Sequence, residues 1–550
     1  MNVLKKVKSI FILILAIVLQ HSIVNAQSYS QILGRPTDSL VTMSFLSDQS
    51  LEVYWEIGTT SGTYTKNTST IVAMKDTPIE IDFKNLVNNT KYFYRLRYRM
   101  NGTTSAFIAD TEYTFRTQRS IGSSFTFAVE ADPHLDTNSN PASYSLTIKN
   151  MLNKTPDFLI DLGDIFMSEK LPVKSQTEIT NRHLLFRPYL NTLCRTAPLY
   201  LTIGNHEGEL GWMLDGTPNS LPVITTNTRK RYYPNPFPNS FYSGNTKSEN
   251  YVGLRENYYA WEWGNALFIV IDPYWYTTSK PGWGWTLGVD QYNWFKNTIT
   301  TSKAKFKFVF CHQLVGGSGV DGRGGTEVVD FFEQGGKNAD STYGFDINRP
   351  GWGKSIHTLM IENHAQIYFH GHDHFYDKQD KDGIVYQEVP QPSSRNIVST
   401  SATQYGYLSG VILAGRGFLL VNVTDSTAKV DYIKTYLPNE ETSGHKNGEI
   451  GYSYSVGSAI NTSVKTISVK DEWTIYPNPS NSKITVSSDK QNLNGTYILI
   501  TDLLGRKVLE ENLTTVINEQ TISIAELKTG AYILTIQKDG ETSRLKFVKE

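Results

Sequence analysis

Short runs of hydrophobic residues alternate with polar turn clusters from about residue 27 to residue 120, and this pattern predicts a series of strands. The runs are rich in aromatic and β-branched residues, and no useful length of helical periodicity occurs among them. The simplest fold for such a stretch is a β-sandwich module. The predicted strands cover residues 41–46, 51–57, 79–83, 92–98 and 113–116.

The pattern changes between about residues 121 and 437, where strand-like runs alternate with helix-like segments. This alternation predicts a layered α/β or α+β domain. Six of the strand-like runs lead into polar side chains of types that bind metal ions. These side chains are Asp132 and His134, Asp164, Asn205 and His206, Asp272, His312, and His372 and His374.

Because the carboxyl ends of strands in such sheets gather at one edge, we expect these side chains to lie close together. Carboxylate and imidazole ligands suit iron, manganese or zinc, and the set needs no thiolate. Asp164 is a natural bridge between two ions, and Asn205 would add a neutral oxygen. One polar cluster at a strand end is unremarkable, but several in succession favour a metal centre over solvated loop ends.

The order and spacing of these motifs resemble those of the calcineurin-like metallophosphoesterase family. The resemblance implies a metallophosphoesterase β-sandwich of two mixed sheets flanked by helices, with two metal ions at the strand ends. It also implies hydrolysis of phosphate esters through attack by a hydroxide that bridges the two ions. The motifs are Asp132-x-His134, Gly163-Asp164, Gly204-Asn205-His206-Glu207, a strand ending in His312, and Gly371-His372-x-His374.

Carried over residue by residue, the resemblance assigns a ligand set to each of two divalent or trivalent ions and leaves iron, manganese and zinc open. His206 is the expected catalytic residue, which steadies or protonates the departing oxygen. The first ion would take Asp132, His134, Asp164 and His374, and the second would take Asp164, Asn205, His312 and His372.

The N-terminal module, residues 27–120, resembles a fibronectin type III domain through Trp55 and the tyrosine-corner pattern that ends at Tyr92. It also resembles the small domain that precedes the catalytic domain in purple acid phosphatases. Those enzymes carry a tyrosine three residues after the bridging aspartate, whereas this chain has Met167, and its first block has His134. We therefore expect the wider family rather than the purple branch, and no ferric-tyrosinate colour.

Both ends of the chain predict export. Three lysines precede an apolar run at 10–19 and small residues at 24–26, which predicts a signal peptide over residues 1–26 rather than an uncleaved anchor. No other stretch is long and apolar enough to span a bilayer. A linker is expected at 438–470, and residues 471–550 resemble the type IX secretion sorting domain. The alternative for this β-sandwich module is binding of carbohydrate or a partner.

Length, charge and cysteine content narrow the class of protein. The 550 residues are too many for one core and predict several domains. Lys and Arg number 52 against 53 Asp and Glu, so there is no basic excess of the kind that stable nucleic-acid binding needs. Cys194 and Cys311 both lie in or beside apolar runs, which favours two buried thiols over a disulfide framework.

Two insertions, residues 208–257 and 313–354, lie beside the predicted centre. The basic residues of the first insertion could bind phosphate oxygens, although solvated surface charge is the favoured interpretation for each one. These residues are Arg229, Lys230, Arg231 and Arg255, and the second insertion carries Arg323.

Taken together, the sequence predicts a secreted or cell-surface phosphohydrolase with two metal ions, acting on phosphate monoesters and recognised by the type IX secretion machinery. A phosphodiesterase or nucleotidase of the same fold is the alternative within the enzyme class. A catalytically silent cell-surface binding protein is the alternative from another class, and its metal content would distinguish it.

Overall fold

The computed structural model describes residues 28–135, 139–457, 473–488, 492–502, 506–514, 517–538 and 541–550. The predicted signal peptide, residues 1–26, lies outside these ranges. The chain divides into two compact units, Met1–Ala459 and Ile460–Glu550, and each has its own core. None of the helices in the described ranges is long and apolar enough to cross a membrane.

The N-terminal module is built from two sheets that enclose one hydrophobic core. Trp55 lies at the centre of that core, among Phe45, Phe83 and Tyr94. The Tyr92 hydroxyl accepts a hydrogen bond from the Val87 amide at 2.8 Å, which is the geometry of a tyrosine corner. The fibronectin type itself stays a prediction. The strands are β1 (Tyr29–Gly34), β2 (Val41–Ser47), β3 (Leu51–Gly58), β4 (Lys66–Asn67), β5 (Ile71–Ala73), β6 (Ile79–Phe83), β7 (Lys91–Met100), β8 (Ile108–Ala109) and β9 (Tyr113–Arg116).

The central domain contains two large mixed sheets, and the seven helices of the described ranges all belong to it. Its strands are β10 (Phe125–Glu130), β11 (Phe158–Asp161), β12 (Leu199–Leu201), β13 (Ser243–Gly244), β14 (Ser248–Glu249), β15 (Gly253–Leu254), β16 (Tyr259–Trp263), β17 (Ala266–Val270), β18 (Phe306–Phe310), β19 (Ile367–His370), β20 (Asp377–Lys381), β21 (Ile384–Glu388), β22 (Gly417–Val423), β23 (Thr427–Lys434) and β24 (Ile450–Gly457). Its helices are α1 (Pro141–Asn153), α2 (Gln176–Cys194), α3 (Leu221–Tyr232), α4 (Val289–Thr301), α5 (Phe332–Gly335), α6 (Phe345–Asn348) and α7 (Ile356–Glu362).

Side-chain capping fixes where several of these helices begin. The Asn140 side chain accepts hydrogen bonds from the first free amides of α1, and Pro141 occupies a position where its missing N–H costs nothing. Ser175 and Ser355 cap α2 and α7 in the same way. These local signals place the helices on the outer faces of the sheets.

The first large sheet has the strand order β24-β23-β22-β10-β11-β12-β1-β2-β6. Strand β1 pairs in parallel with β12 through Gly34 and Leu199, so three strands of the N-terminal module continue the sheet of the central domain. The hydrogen bonding therefore continues across the boundary expected near residue 120. Strand β24 lies inside the stretch expected to be a linker, 438–470. Part of that stretch is a strand of the sheet, because β24 pairs with β23, and residues 458–470 lie outside the described residues.

The second large sheet has the order β13-β16-β17-β18-β19-β21-β20. An aromatic core that includes Phe127, Phe268, Phe308 and Phe369 fills the space between the two sheets. Helices α1 and α2 pack on the outer face of the first sheet, and α4 and α7 pack on the outer face of the second. The predicted architecture of two mixed sheets flanked by helices is confirmed.

The C-terminal unit is an antiparallel β structure with its own core. One sheet has the order β25-β26-β29 and the other β28-β27-β30-β31. Trp473, Ile500 and Phe547 contribute to the buried core between them. The strands are β25 (Thr474–Tyr476), β26 (Lys483–Ser487), β27 (Thr496–Asp502), β28 (Lys507–Leu513), β29 (Glu519–Ser523), β30 (Gly530–Lys538) and β31 (Glu541–Lys549).

Candidate metal centre

In the first large sheet the neighbouring strands β10, β11 and β12 run parallel and end at one edge. In the second large sheet β18 and β19 do the same. The loops after β10, β11 and β12 meet the loops after β18 and β19 there. Each loop supplies polar side chains within four residues of its strand end. This is the position at which mixed α/β sheets commonly bind ligands.

The side chains form two neighbouring clusters. Asp132, His134 and His374 make the first, and Asp164, His312 and His372 make the second; the potential ligand atoms within each cluster all lie within 4.8 Å of one another. The Asp164 Oδ2 atom lies 3.0 Å from His312 Nε2 and 3.8 Å from His134 Nε2. Asp164 therefore lies between the clusters, at the position expected of a bridging carboxylate.

Each aspartate has one oxygen held by the backbone and one directed into the centre. Asp132 Oδ2 accepts from the His372 amide at 2.8 Å, and Asp164 Oδ1 accepts from the His206 amide at 2.7 Å. The other oxygens, Asp132 Oδ1 and Asp164 Oδ2, are buried and have no hydrogen-bond partner within the described residues, and the same holds for Asn205 Oδ1. Buried oxygens without donors are costly unless they bind a cation, so this donor set fits metal ions.

Two imidazoles have their orientation fixed by the backbone. His312 Nδ1 lies 2.9 Å from the carbonyl oxygen of Leu162, and His372 Nε2 lies 2.9 Å from that of Asp321. A proton on each of these nitrogens would be donated to the carbonyl, which leaves the opposite nitrogen with a lone pair for a metal ion.

The electrostatics of the centre favour positive charge. Burial opposes ionisation of His312, but Asp164 and Asp132 outweigh it and raise the pKa of that imidazole to about 10. Despite burial, the neighbouring histidines hold the pKa of Asp132 well below its usual range. Two buried, ionised carboxylates thus create a field that stabilises a cation at this point, as a metal centre requires.

The ligand loops hold unusual backbone conformations. Asp132, His134, Asp164, His372 and His374 all have φ between +41° and +79°, a region that costs non-glycine residues energy. The glycines between them permit close approach. A Cβ atom on Gly204 would lie 2.3 Å from Asp164 Oδ1, and one on Gly371 would lie 2.5 Å from Asp132 Oδ2. The surrounding sheets thus stabilise a strained arrangement that brings the side chains together.

Residues 125–376 match the family model described as calcineurin-like phosphoesterase. This part of the chain is therefore a calcineurin-like phosphoesterase domain. Residues 474–550 match the model described as a secretion system C-terminal sorting domain. Comparison with curated proteins finds no significant match.

Two solved structures share the fold over most of this chain. A structure of PhoD matches with a TM-score of 0.56 and 15% identity, covering 78% of this chain and 90% of that chain. The purple acid phosphatase PPD1 from yellow lupin (Lupinus luteus) matches with a TM-score of 0.53 and 14% identity, covering 78% of this chain and 74% of that chain. The predicted family and sorting domain are confirmed, and the protein is a metal-dependent phosphoesterase.

His206 lies at the open side of the phosphoesterase centre. Its Nε2 atom is 3.9 Å from Asp164 Oδ2, and its side chain is 13% exposed, whereas Asp164 is fully buried. Its Nδ1 atom contacts the carboxylate of Glu169, which sequence reasoning did not identify as functional. Burial lowers the pKa of His206, but the charges of Asp164 and Glu169 outweigh it and raise the pKa above its usual value.

Replacing Glu169 with glutamine is expected to lower kcat of the phosphoesterase about tenfold, with KM and bound metal little changed. Loss of the carboxylate removes the group that orients His206 and favours its protonated form. Steady-state kinetics with metal analysis on the same sample would check this. A proportional loss of metal would instead make Glu169 a structural support of the centre.

Two further carboxylates hold the ligand loops from behind. Glu207 accepts hydrogen bonds from the amides of Gly204, Asp164 and Ile165, and burial together with the Asp164 charge raises the pKa of Glu207 to about 7. Glu388 accepts from the amides of Asp373 and His374 and lies 2.8 Å from His370 Nδ1. His370 thus lies against a carboxylate that supports the ligand loop. In the sequence Glu388 is marked only by its position at the end of a strand, β21. The pairing of β21 with β19, which brings Glu388 beside His370, is a feature of the structure.

The first insertion does not direct its arginines at the metal centre. Arg229 and Arg255 are buried, and both pair with the buried carboxylate of Glu209. Arg255 also lies 2.9 Å from Asp272, so the strand-end aspartate that could have bound metal is used in this ion-pair cluster. Neither interpretation of Arg229 and Arg255, phosphate contact or solvated surface charge, fits the structure, because a buried charge needs a partner and these arginines have theirs inside the fold.

Replacing Glu209 with glutamine is expected to destabilise the folded protein by about 3–5 kcal/mol at pH 7, because buried Arg229 would lose its carboxylate partner and buried Arg255 would keep only Asp272. Burial alone would raise the pKa of Glu209, but Arg229 and Arg255 lower it from 4.5 to about 2. Ionised Glu209 thus stabilises the fold above about pH 4.5, and that stability is lost as the pH falls toward 2. Denaturant unfolding at several pH values would show the difference from wild type shrinking over this range. Glu362→Gln, which breaks an exposed pair with Lys354, is the matched control and should change stability by less than about 1 kcal/mol.

Cys194 and Cys311 are both buried free thiols, as predicted. Burial raises the pKa of the Cys311 thiol to about 12, so it is not a ready nucleophile.

Proposed function

We propose that this protein is an exported phosphomonoesterase that uses two metal ions held by the seven predicted ligands. The observation that carries the proposal is the placement of Asp164 Oδ2 between the two clusters, within 3.0 Å of His312 Nε2 and 3.8 Å of His134 Nε2. One cluster would hold a single ion, whereas two clusters sharing a carboxylate suit a pair of ions and a phosphoryl group between them. The ligands are Asp132, His134, Asp164, Asn205, His312, His372 and His374.

The bound ions would supply Lewis acidity for the phosphoryl oxygens and lower the pKa of an attacking water molecule. The residues of the chain hold and orient the reactants. His206 Nε2 faces the centre and can donate a proton to the departing alkoxide. Glu169 keeps the imidazole oriented and favours its protonated form, and the neutral Asn205 adds a ligand without further negative charge.

Arg323 favours a phosphate monoester over a diester. Its Nη1 atom donates to Asp373 Oδ1 at 2.7 Å and to the carbonyl of His372 at 2.9 Å, which anchors the guanidinium beside a ligand loop. The side chain is 26% exposed and stacks on Tyr405, and its Nε and Nη2 atoms have no partner in the part of the chain that the structure describes. A free face of positive charge favours the dianion of a monoester over the monoanion of a diester.

Replacing Arg323 with glutamine is expected to lower kcat/KM about tenfold for a monoester and to leave that for a diester nearly unchanged. The physical reason is the loss of one positive charge that only the dianionic substrate exploits fully. Parallel kinetics with p-nitrophenyl phosphate and bis-p-nitrophenyl phosphate measure it. Equal losses on both substrates would mean that Arg323 only supports the His372 loop.

The sorting domain indicates export by type IX secretion to the cell surface or beyond it. Export of a phosphomonoesterase would place its chemistry outside the cell, where organic phosphates can be hydrolysed to release phosphate.

The proposal is tested with metal-depleted protein reloaded separately with manganese, zinc, iron or magnesium. We expect about two ions per chain and higher kcat/KM for p-nitrophenyl phosphate than for the bis ester. A preference for the bis ester would favour a phosphodiesterase or nucleotidase. Absence of both turnover and bound metal would favour the binding-protein alternative.

A further inference from the structure

A cavity of about 560 Å³ opens where the N-terminal module meets the phosphoesterase domain. It lies at the opposite end of β10 from the metal centre: Thr126 lines the cavity, and Asp132 is six residues further along the chain. At 3.3 Å per residue of extended strand this separation is about 20 Å. The cavity is lined by Lys91, Thr114, Phe115, Arg116, Arg119, Ser124, Phe125, Thr126, Leu152, Lys154, Thr155, Pro156, Asp157, Thr196, Asn422, Val423 and Thr424.

The lining is strongly cationic, although the chain as a whole carries a formal charge of only −1. Lys91, Arg116, Arg119 and Lys154 contribute positive charge, and Asp157 is the single acidic residue of the lining. Both parts of the unit contribute, since Lys91 and Arg116 belong to the N-terminal module and Lys154 follows α1. Concentrated positive charge in a concave site attracts anions.

The single acidic residue of the lining, Asp157, already has partners within the protein. Arg119 donates to both oxygens of Asp157, at 2.6 and 2.9 Å, and the Trp263 indole donates to the same carboxylate at 3.3 Å. Arg116 remains 4.0 Å from Asp157, and its guanidinium makes no hydrogen bond within the described ranges. Burial lowers the pKa of Arg116, the neighbouring Arg119 charge lowers it further, and Asp157 offsets only part of this effect.

Neutral donors and apolar surface complete the cavity. The hydroxyls of Thr114, Ser124 and Thr155 make no hydrogen bond to other described residues and can turn toward a ligand. Leu152 and Val423 provide apolar wall. Cationic groups, free hydroxyls and apolar surface together match a ligand with both an anionic group and an organic body.

We propose that this cavity binds a small organic molecule that carries a phosphate group, at a site separate from the metal centre. Arg116, Lys91 and Lys154 would contact the phosphate oxygens, since guanidinium and ammonium groups are the usual partners of phosphate. The volume is in the range of sites that enclose whole small molecules. A ligand there would contact the N-terminal module and the catalytic sheet at once.

The test is isothermal titration of the metal-loaded full chain with the phosphonate analogue of glucose 6-phosphate, whose C–P bond a phosphoesterase does not cleave. We expect two binding sites in the wild type, one at the metal ions and one in the cavity. The double variant Lys91→Gln, Arg116→Gln should lose the cavity site, with at least about tenfold weaker binding there, and keep its turnover of p-nitrophenyl phosphate. Lys75→Gln, which removes an exposed lysine of the N-terminal module outside the cavity, is the matched control and should keep both sites.

Lys154→Gln gives a second, independent variant, because this exposed lysine at the end of α1 does not contact Asp157. It should weaken the cavity site several-fold. Identical isotherms for wild type and both sets of variants would overturn the proposal. Equal affinity of the cavity for inorganic phosphate and for the sugar phosphonate would also overturn it, because the organic body would then contribute nothing. Failure of the phosphomonoesterase proposal would appear instead as absent turnover, with the cavity site intact.

Discussion

Replacing Asp164 with asparagine is expected to lower kcat/KM at least about 10³-fold, beyond the 10–100-fold typical of changes outside the ligand set. Asparagine keeps the shape of the side chain, can still accept the 2.7 Å hydrogen bond from the His206 amide, and tolerates the φ of +56° at this position. The variant loses only the charged Oδ2 that faces His312 and His134. Metal content should fall from about two ions per chain to one or fewer, as measured by elemental analysis.

Asp290→Asn is the matched control, because Asp290 is exposed and pairs only with the surface residue Lys247. It should keep both ions and full activity. Retention of two ions and activity within tenfold of wild type in Asp164→Asn would show that Asp164 does not bridge the clusters.

Replacing His206 with alanine is expected to lower kcat by about 10²–10⁴-fold and to leave two ions bound. The imidazole is directed at the centre but is not a member of either ligand cluster, so its loss removes a proton donor and not a ligand. The loss should be smaller for a substrate whose leaving group is a weak base, since such a group needs no proton. Kinetics with p-nitrophenyl phosphate and with an alkyl phosphate would measure this difference.

His445→Ala removes an exposed histidine on the same unit and should be silent. Equal losses for the aryl and alkyl substrates in His206→Ala would exclude proton donation and leave His206 with substrate positioning alone. Unchanged turnover of both substrates would remove His206 from the mechanism altogether.

The candidate ligands could be located in the sequence because each one follows a hydrophobic strand. Strand-like runs are local features of the chain, and neighbouring parallel strands end at a common edge, so Asp132 was expected near Asp164, and His312 near His372. The spacing within motifs such as His372-x-His374 is equally local. The same reasoning identified the β-rich ends of the chain from alternating apolar positions.

The supporting groups could not be predicted in this way. Glu169 is 37 residues from His206, and Glu388 is 14 residues from the His374 amide that it binds. Nothing in the local pattern distinguishes these carboxylates from surface acids. Arg229 and Arg255 illustrate the converse, since an arginine in an insertion beside a phosphoesterase centre suggests a phosphate contact, but burial against Glu209 decides its role.

The sequence by itself determined the class of fold, the candidate metal-ligating residues and the sorting domain, because strand propensity, motif spacing and strand-end position are local properties of the chain. Only the tertiary structure decided which acids support the centre, that β1, β2 and β6 continue the catalytic sheet, and that β24 belongs to it. Those outcomes depend on pairing between distant segments and on the cost of burying an unpaired charge or an open sheet edge. A sequence pattern shows that a residue can pair, and the packed fold selects its partner.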